Sequence, residues 1–373
     1  VDPPTKQQSY YVLGQGGKIT ADSATVRSGP SSEAEPLGTV KKHTRVTILD
    51  QNDNWYKIRP EIGSEGWIPE YVLTIQANQP KEEGQEILGY YPGGEMAYES
   101  LLNNGSRLTG VAPLGWELDS YGGLKADFDP EDMGRSLYFA GNQELRTYAL
   151  VRVASSPSRL ITTPYLQENS INQIINMLEE WGLTGVLLDL AYIPGTEQPQ
   201  LFQFVETLAT KLDQKSLRTI LALPWDASID YATASAAVDY LVLNSTAQQR
   251  GGNPGPSGAV SEMEVMLQEV VELVIPQKII LTIATGGLDW PRSGLPQPLS
   301  HKEILALAAS QGASVKWDPE ARTPFFKYGA GNEVWFENHY SVKYKLELAQ
   351  KYNLGGIALL NLGQEDPEIW ERL

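Results

Sequence analysis

Carboxylates and aromatic rings are the residues of this chain able to do chemistry. Cysteine is absent, which removes disulfides, thiolate nucleophiles and Cys-ligated metals. The three histidines, His43, His301 and His339, include no H-x-x-x-H pair, so neither a metal site nor a cofactor is expected. What remains is acid–base work and the recognition of hydroxyl-rich ligands. Glu117, Asp189 and Asp226 are the candidate acids, with Trp116, Trp225, Trp290 and Tyr91 as rings and Asn244 and Asn361 as amides. Such a set suits a carbohydrate: sugar C–H faces stack on rings, and carboxylates and amides bind hydroxyls.

These residues need a frame that brings them together. From residue 87 onward, short apolar runs alternate with amphipathic segments. Strands are predicted at Ile87–Tyr91, Gly110–Pro113, Arg146–Val153, Gly185–Asp189, Thr219–Pro224, Tyr240–Asn244, Lys278–Ile283 and Gly356–Asn361. Val186-Leu187-Leu188 and Ile279-Ile280-Leu281 are continuous apolar runs, as strands buried on both faces are. Between them Ile171, Ile174, Ile175 and Leu178 recur at helical spacing, and so do Leu201, Phe204, Val205, Leu208 and Leu212. Eight strand–helix units predict an α/β fold, a (β/α)8 TIM barrel over 87–373, with an α+β insertion at about 291–335 before the last strand. Functional residues of such a barrel sit at the C-terminal ends of its strands, where the candidates above fall.

Residues 16–75 differ in kind. Five short strands, at Gly17–Ala21, Ala24–Arg27, Arg45–Leu49, Trp55–Arg59 and Gly66–Ile68, predict a small all-β barrel. Polar residues 76–86 lack apolar periodicity and are expected to form a linker. The order Ala24-Thr25-Val26-Arg27-Ser28-Gly29-Pro30, Leu37-Gly38-Thr39-Val40, Asn54-Trp55-Tyr56-Lys57-Ile58 and Glu65-Gly66-Trp67-Ile68 resembles the bacterial SH3 (SH3b) family. One departure is Thr25, where that family usually has Asn. The resemblance implies an SH3-like barrel that targets the cell wall through a wall peptide or peptidoglycan. Trp55 and Trp67 belong either to its core or to a groove.

The large unit resembles family-18 glycoside hydrolases, especially the branch of spore-cortex and germination hydrolases. The likeness rests on Ile87-Leu88-Gly89-Tyr90-Tyr91, Gly255-Pro256, Val334-Trp335-Phe336-Glu337, Lys345-Leu346-Glu347-Leu348, Leu354-Gly355-Gly356-Ile357 and Leu362-Gly363. The family carries D-G-x-D-x-D-x-E on its fourth strand, where the last Glu protonates the glycosidic oxygen and the Asp before it orients the N-acetyl group. Here the stretch is Thr184-Gly185-Val186-Leu187-Leu188-Asp189-Leu190-Ala191. Only Asp189 is retained; Leu187 replaces an Asp and Ala191 replaces the acid. The family's Met-x-Tyr on the sixth strand is Asn244-Ser245-Thr246, and its eighth-strand Trp is Leu360. No intact catalytic set is therefore expected, and Leu187 and Leu360 should make the barrel mouth more apolar. Asp189 is either a sugar orienter or a structural acid. Glu117 and Asp226 are either displaced catalytic acids or solvated loop residues.

The 46 acidic and 29 basic residues leave a net charge of −17, which argues against a nucleic-acid partner. Within 1–76 the nine acidic and eight basic residues nearly cancel, so the excess lies in the large unit. No apolar run is long enough for a membrane span. The chain opens at Val1 with neither an initiator Met nor a signal peptide, as expected of a processed or trimmed chain. The expected role is a glycan-binding protein of the extracellular wall or spore envelope without catalysis, its partner a chitin-like or peptidoglycan glycan. The alternatives are a hydrolase of N-acetylglucosamine-containing glycan using a displaced acid, and a structural or inhibitor protein that binds a protein partner.

Overall fold

The computed structural model describes residues 3, 11–79, 81, 84–154, 157–190, 193, 195–245 and 253–373. Eight parallel strands close into a barrel: Glu86–Tyr91, Gly110–Pro113, Arg146–Val153, Gly185–Asp189, Arg218–Pro224, Tyr240–Asn244, Ile279–Ile283 and Gly356–Leu359. Each pairs with the next, and the last returns to the first through Gly356 opposite Glu86. Period-two alternation divides the strand side chains into two sets. Leu88, Tyr90, Tyr148, Leu150, Leu187, Ile220, Val242 and Ile280 fill the interior. Their neighbours pack outward against the surrounding helices. Gly185 is required by close approach, since a Cβ there would lie 2.3 Å from the Arg218 carbonyl oxygen. The barrel floor is plugged by buried Glu86, which accepts from Arg146 at 2.6 Å and from Thr109 at 2.7 Å.

Two excursions depart from the simple repeat. Trp116–Leu118 and Leu124–Ala126 form a hairpin between the second and third barrel strands, and its first arm runs parallel to Val151–Val153. Trp116 and Glu117 thus belong to an added strand rather than to the end of the second. A three-residue strand is too short to show a period, which is why the sequence does not announce it. The second excursion is a five-stranded antiparallel sheet between the seventh and eighth strands. It takes in Gly287–Trp290 and ends with Asn332–Phe336, and helix His301–Ser310 covers one face through Ile304 and Ala308.

The N-terminal unit is a seven-stranded antiparallel sheet around Ile19, Val26, Val46, Ile48, Ile58 and Ile68. Two strands beyond the five expected are Pro36–Lys41 and Leu73–Gln76. In Pro36–Lys41 only Val40 is buried, so no alternation marks it. This unit is docked on the barrel. Asn78 donates to the carbonyls of Gly14 at 2.9 Å and Asn142 at 2.7 Å, and Arg59 donates to Asn103 Oδ1 at 2.6 Å. Leu13 joins the outer core of the barrel itself. Among the described residues no helix is long and apolar enough to cross a membrane.

Candidate functional site

At the C-terminal end of the barrel, three charged residues stand in one row across adjacent strands. Glu117 is opposite Arg152, Arg152 is opposite Asp189, and Asp189 is opposite Ala222. Their flanking residues Trp116, Leu118, Val151, Val153 and Leu188 all pack in the outer core. Alternation therefore turns Glu117, Arg152 and Asp189 to the barrel side. Arg152 and Glu117 are exposed, and Asp189 is half-buried. Asp189 Oδ1 is buried and has no hydrogen-bond partner among the described residues. Burial raises its pKa above the ordinary carboxylate range, with the Arg152 charge opposing.

Tyr90, on the first strand, is 7% exposed and its hydroxyl also lacks a partner among the described residues. Burial, followed by the charge of Asp189, pushes this phenol far above its ordinary value. Two orphaned buried oxygens thus lie at the base of the mouth. Beneath them Leu187 is fully buried in the barrel core, with Leu360 packed at its edge. Leu187 and Leu360 thus form an apolar layer under these two oxygens.

The neighbouring cleft is not apolar. A cavity of about 500 Å3 opens beside Arg152 and is rimmed by Glu95, Glu117, Asp127, Asp132 and Arg135. Asp132 accepts from the Tyr91 hydroxyl at 3.0 Å, from Gly94 N at 2.9 Å and from Arg135 Nη2 at 2.8 Å. Arg135 also donates to Glu95 at 2.6 Å and lies 4.0 Å over the Tyr98 ring.

The expected site residues divide on this geometry. Tyr91 points outward into the helical layer and supports the cleft through Asp132, whereas Tyr90 faces the interior. The two differ by one position, and the parity of the strand decides between them. Trp116, 3% exposed, packs edge-on against Phe128 and Trp181 and offers no open ring face. Trp290, 5% exposed, is likewise buried, in the inserted subdomain. Trp225 is 41% exposed at the end of the fifth strand. Asp226 is held in a local turn, accepting from Ser228 N at 2.8 Å, and Ser228 keeps its carboxyl below the usual range. Asn244 ends the sixth strand in register with Pro224 and shares the interior face of Val242. Asn361 lies just past the eighth strand in the left-handed region, φ 58°, its carbonyl accepting from the Thr285 hydroxyl at 3.1 Å. Ala191 and Thr246 fall outside the described residues.

Tyr90, Arg152, Asp132 and Arg135 are residues that sequence reasoning passed over. For Arg152 there was a signal: a charge at the penultimate position of a strand whose preceding run, Tyr148-Ala149-Leu150-Val151, is uncharged. Asp132 lies 41 residues from Tyr91 and had none.

The chain matches the family described as glycosyl hydrolases family 18 over residues 155–365, and the bacterial SH3 domain over residues 22–74. It is 20% identical to the "Uncharacterized glycosylase YvbX" of Bacillus subtilis (strain 168), covering 81% of this chain and 94% of that protein. It is 25% identical to the "Cortical fragment-lytic enzyme" of the same organism over 57% of this chain, and spans 54% of that relative's length. Among solved structures, a chitinase from Chromobacterium violaceum ATCC 12472 superposes with a TM-score of 0.70 at 26% identity, covering 77% of this chain and 97% of that one. The spore cortex-lytic enzyme SleL of Bacillus megaterium QM B1551 gives 0.70 at 18% identity, covering 89% and 88%, and shares the fold. The chain belongs to glycosyl hydrolases family 18, with a bacterial SH3 domain preceding the family-18 region.

Proposed function

We propose that this protein binds a cell-wall glycan at its barrel mouth without hydrolysing it. One observation carries the reading: position 191, two residues past Asp189, is alanine. A glycosidic bond breaks when an acid protonates the departing oxygen, and a methyl group has no proton to give. Positioned general acid–base catalysis is typically worth about 10²–10⁴ in rate. The substrate-assisted route, in which the sugar's own N-acetyl oxygen attacks, still needs that acid. Asp226 is a poor substitute, since its carboxylate is committed to the Ser228 turn.

The relatives' names, a glycosylase, a cortical fragment-lytic enzyme, a chitinase and a spore cortex-lytic enzyme, support a wall glycan as the ligand class. The bacterial SH3 region fits the same setting, outside the cell or in the spore envelope. The working division is an SH3-like unit at 16–75, a linker at 76–86 and a barrel at 87–373 with an insertion at about 291–335.

A second reading rests on Glu117. It is an exposed carboxylate on the barrel side of the mouth, available as a displaced acid for hydrolysis of N-acetylglucosamine-containing glycan. Titration calorimetry of the full chain with chitin oligomers and muropeptides, run beside an assay for released sugar ends, separates these readings. Binding with intact oligomers is expected. Turnover that Glu117→Gln abolishes would establish the enzyme, and no binding at all would redirect attention to a protein partner.

A further inference from the structure

The hairpin between the second and third barrel strands has the cleft wall at its base and an exposed ring at its tip. Leu114, Gly115, Trp116 and Glu117 line the cleft. The first arm keeps pace with the third barrel strand to that strand's last residue, Leu118 opposite Val153. The turn at 119–123 therefore projects past the strand end, on the side where the barrel mouth opens. At a strand rise of about 3.3 Å per residue, Tyr121 stands at most about 13 Å beyond Glu117.

The turn is firmly held. Asp119 Oδ1 accepts from Tyr121 N and from Gly123 N, both at 2.9 Å, and Asp119 pairs with Lys125 at 3.2 Å. Gln173, on helix Pro164–Trp181, donates to the Gly122 carbonyl at 2.8 Å and accepts from Leu124 N at 3.1 Å. Gly122 has φ 77°, and a Cβ there would lie 2.6 Å from Ser170 Oγ, so the turn sits directly on that helix. On this seat Tyr121 is 61% exposed. The Arg159 guanidinium lies 4.8 Å from the Tyr121 ring centroid and backs one face of the ring.

The fold does not need that ring. Asp119, Gln173 and the backbone hold the turn, and a side chain left mostly in water contributes little to packing. A tyrosine fixed in direction and open on one face is a stacking surface with few rotamers to lose on binding. The guanidinium beside it adds donors for hydroxyl oxygens.

We propose that Tyr121, backed by Arg159, is an outer sugar-binding position, met by a glycan that lies in the cleft and continues along the hairpin. The occupant is the glycan because cleft wall and ring are the base and tip of one hairpin, so a chain seated against the first runs on to the second. The proposal rests on the glycan-binding reading and adds a position to the same site.

Calorimetry of the full chain with N-acetylglucosamine trimer and hexamer tests it. The wild type is expected to bind the hexamer more tightly than the trimer. Tyr121→Ala should weaken hexamer binding about three- to tenfold, the scale of one aromatic contact, and leave the trimer unchanged. Tyr121→Phe, which keeps the ring, should behave as wild type. Thermal melting of each variant checks that it is folded. Unchanged hexamer binding in Tyr121→Ala overturns the proposal and leaves glycan binding standing. An equal loss for trimer and hexamer also overturns it, since the ring would then act by holding the cleft wall. Failure of both oligomers and of muropeptides to bind the wild type overturns the proposal together with the reading it rests on.

Discussion

The Tyr90 hydroxyl on the first barrel strand lies in the field of the Asp189 carboxylate on the fourth, and neither oxygen has a hydrogen-bond partner among the described residues. A fold gains nothing from such an arrangement, because an unpaired buried polar atom costs about 1–3 kcal/mol. A ligand that pairs both atoms recovers that cost on binding. The relationship therefore favours a binding role for Asp189 over a purely structural one.

Stability should improve when Asp189 is neutralised. Burial raises its folded-state pKa, so the folded protein holds the proton more tightly than the unfolded chain. The penalty is fully present above the folded pKa and vanishes as pH falls below the ordinary carboxylate range. Asp189→Asn should stabilise the free protein at pH 7 by about 1 kcal/mol, with the gain shrinking under acid conditions. Urea denaturation at pH 7 and pH 4 reads this out. A variant that is less stable at pH 7 would mark Asp189 as a structural acceptor.

Restoring the acid alone should not restore an enzyme. Ala191→Glu supplies a proton donor, yet Leu187, Thr246 and Leu360 remain. Adding Leu187→Asp places a carboxylate where the side chain is fully buried in the barrel core, at a cost of about 3 kcal/mol or more. Fluorogenic chitobiose hydrolysis should stay near background in both variants. Robust turnover would mean that positions 246 and 360 matter less than the resemblance implies.

Acid should loosen the contact between the insertion and the barrel. His301 and His339 are the first residues of helices His301–Ser310 and His339–Lys351, and both approach Asp366, at 3.9 and 2.8 Å. Burial lowers the His301 pKa, with Asp366 opposing and the neighbouring His339 adding to the depression. A depressed histidine contributes stability that is fully present above its unfolded pKa of about 6.5 and is lost as pH falls through that value. Melting temperature should therefore drop between pH 7.5 and 5.5, and less so in His301→Gln. An unchanged slope in that variant would assign the pH dependence elsewhere.

The SH3-like unit should stay docked in solution. Asn78 bridges the carbonyls of Gly14 in the N-terminal unit and Asn142 in the barrel, so Asn78→Ala removes one hydrogen bond between the units and one that holds Asn78 in place, and should cost about 1–2 kcal/mol. Gly14 has φ 78°, and a Cβ there would lie 2.8 Å from the Phe139 carbonyl, so Gly14→Ala should loosen the interface further. Small-angle scattering should give a compact envelope for the wild type and a wider one for the double variant. An extended wild-type envelope would contradict the docking.

All eight barrel strands were legible because each is a short apolar run bounded by turns, with Val186-Leu187-Leu188 as the plainest case. Asp189 was legible because the surrounding framework fixes its position by spacing. The mouth was less so. Tyr90 and Tyr91 are adjacent tyrosines, and only the strand's pleat shows which enters the barrel. Trp116 promised a stacking surface, but it sits on an added strand whose alternation turns it toward Phe128 and Trp181. Asp226 was attractive beside an exposed Trp, until its carboxylate proved to be spent on Ser228. Contacts such as Tyr91 to Asp132 arise from packing between distant segments and leave no local trace.

Mass spectrometry of an N-acetylglucosamine hexamer and of muropeptides after prolonged incubation with the full chain, in water enriched in oxygen-18, tests the central claim most directly. The expected result is intact oligomer with no labelled reducing end at any enzyme-to-substrate ratio, from a protein that calorimetry shows to bind. Labelled fragments that accumulate with wild type and disappear with Glu117→Gln would contradict it.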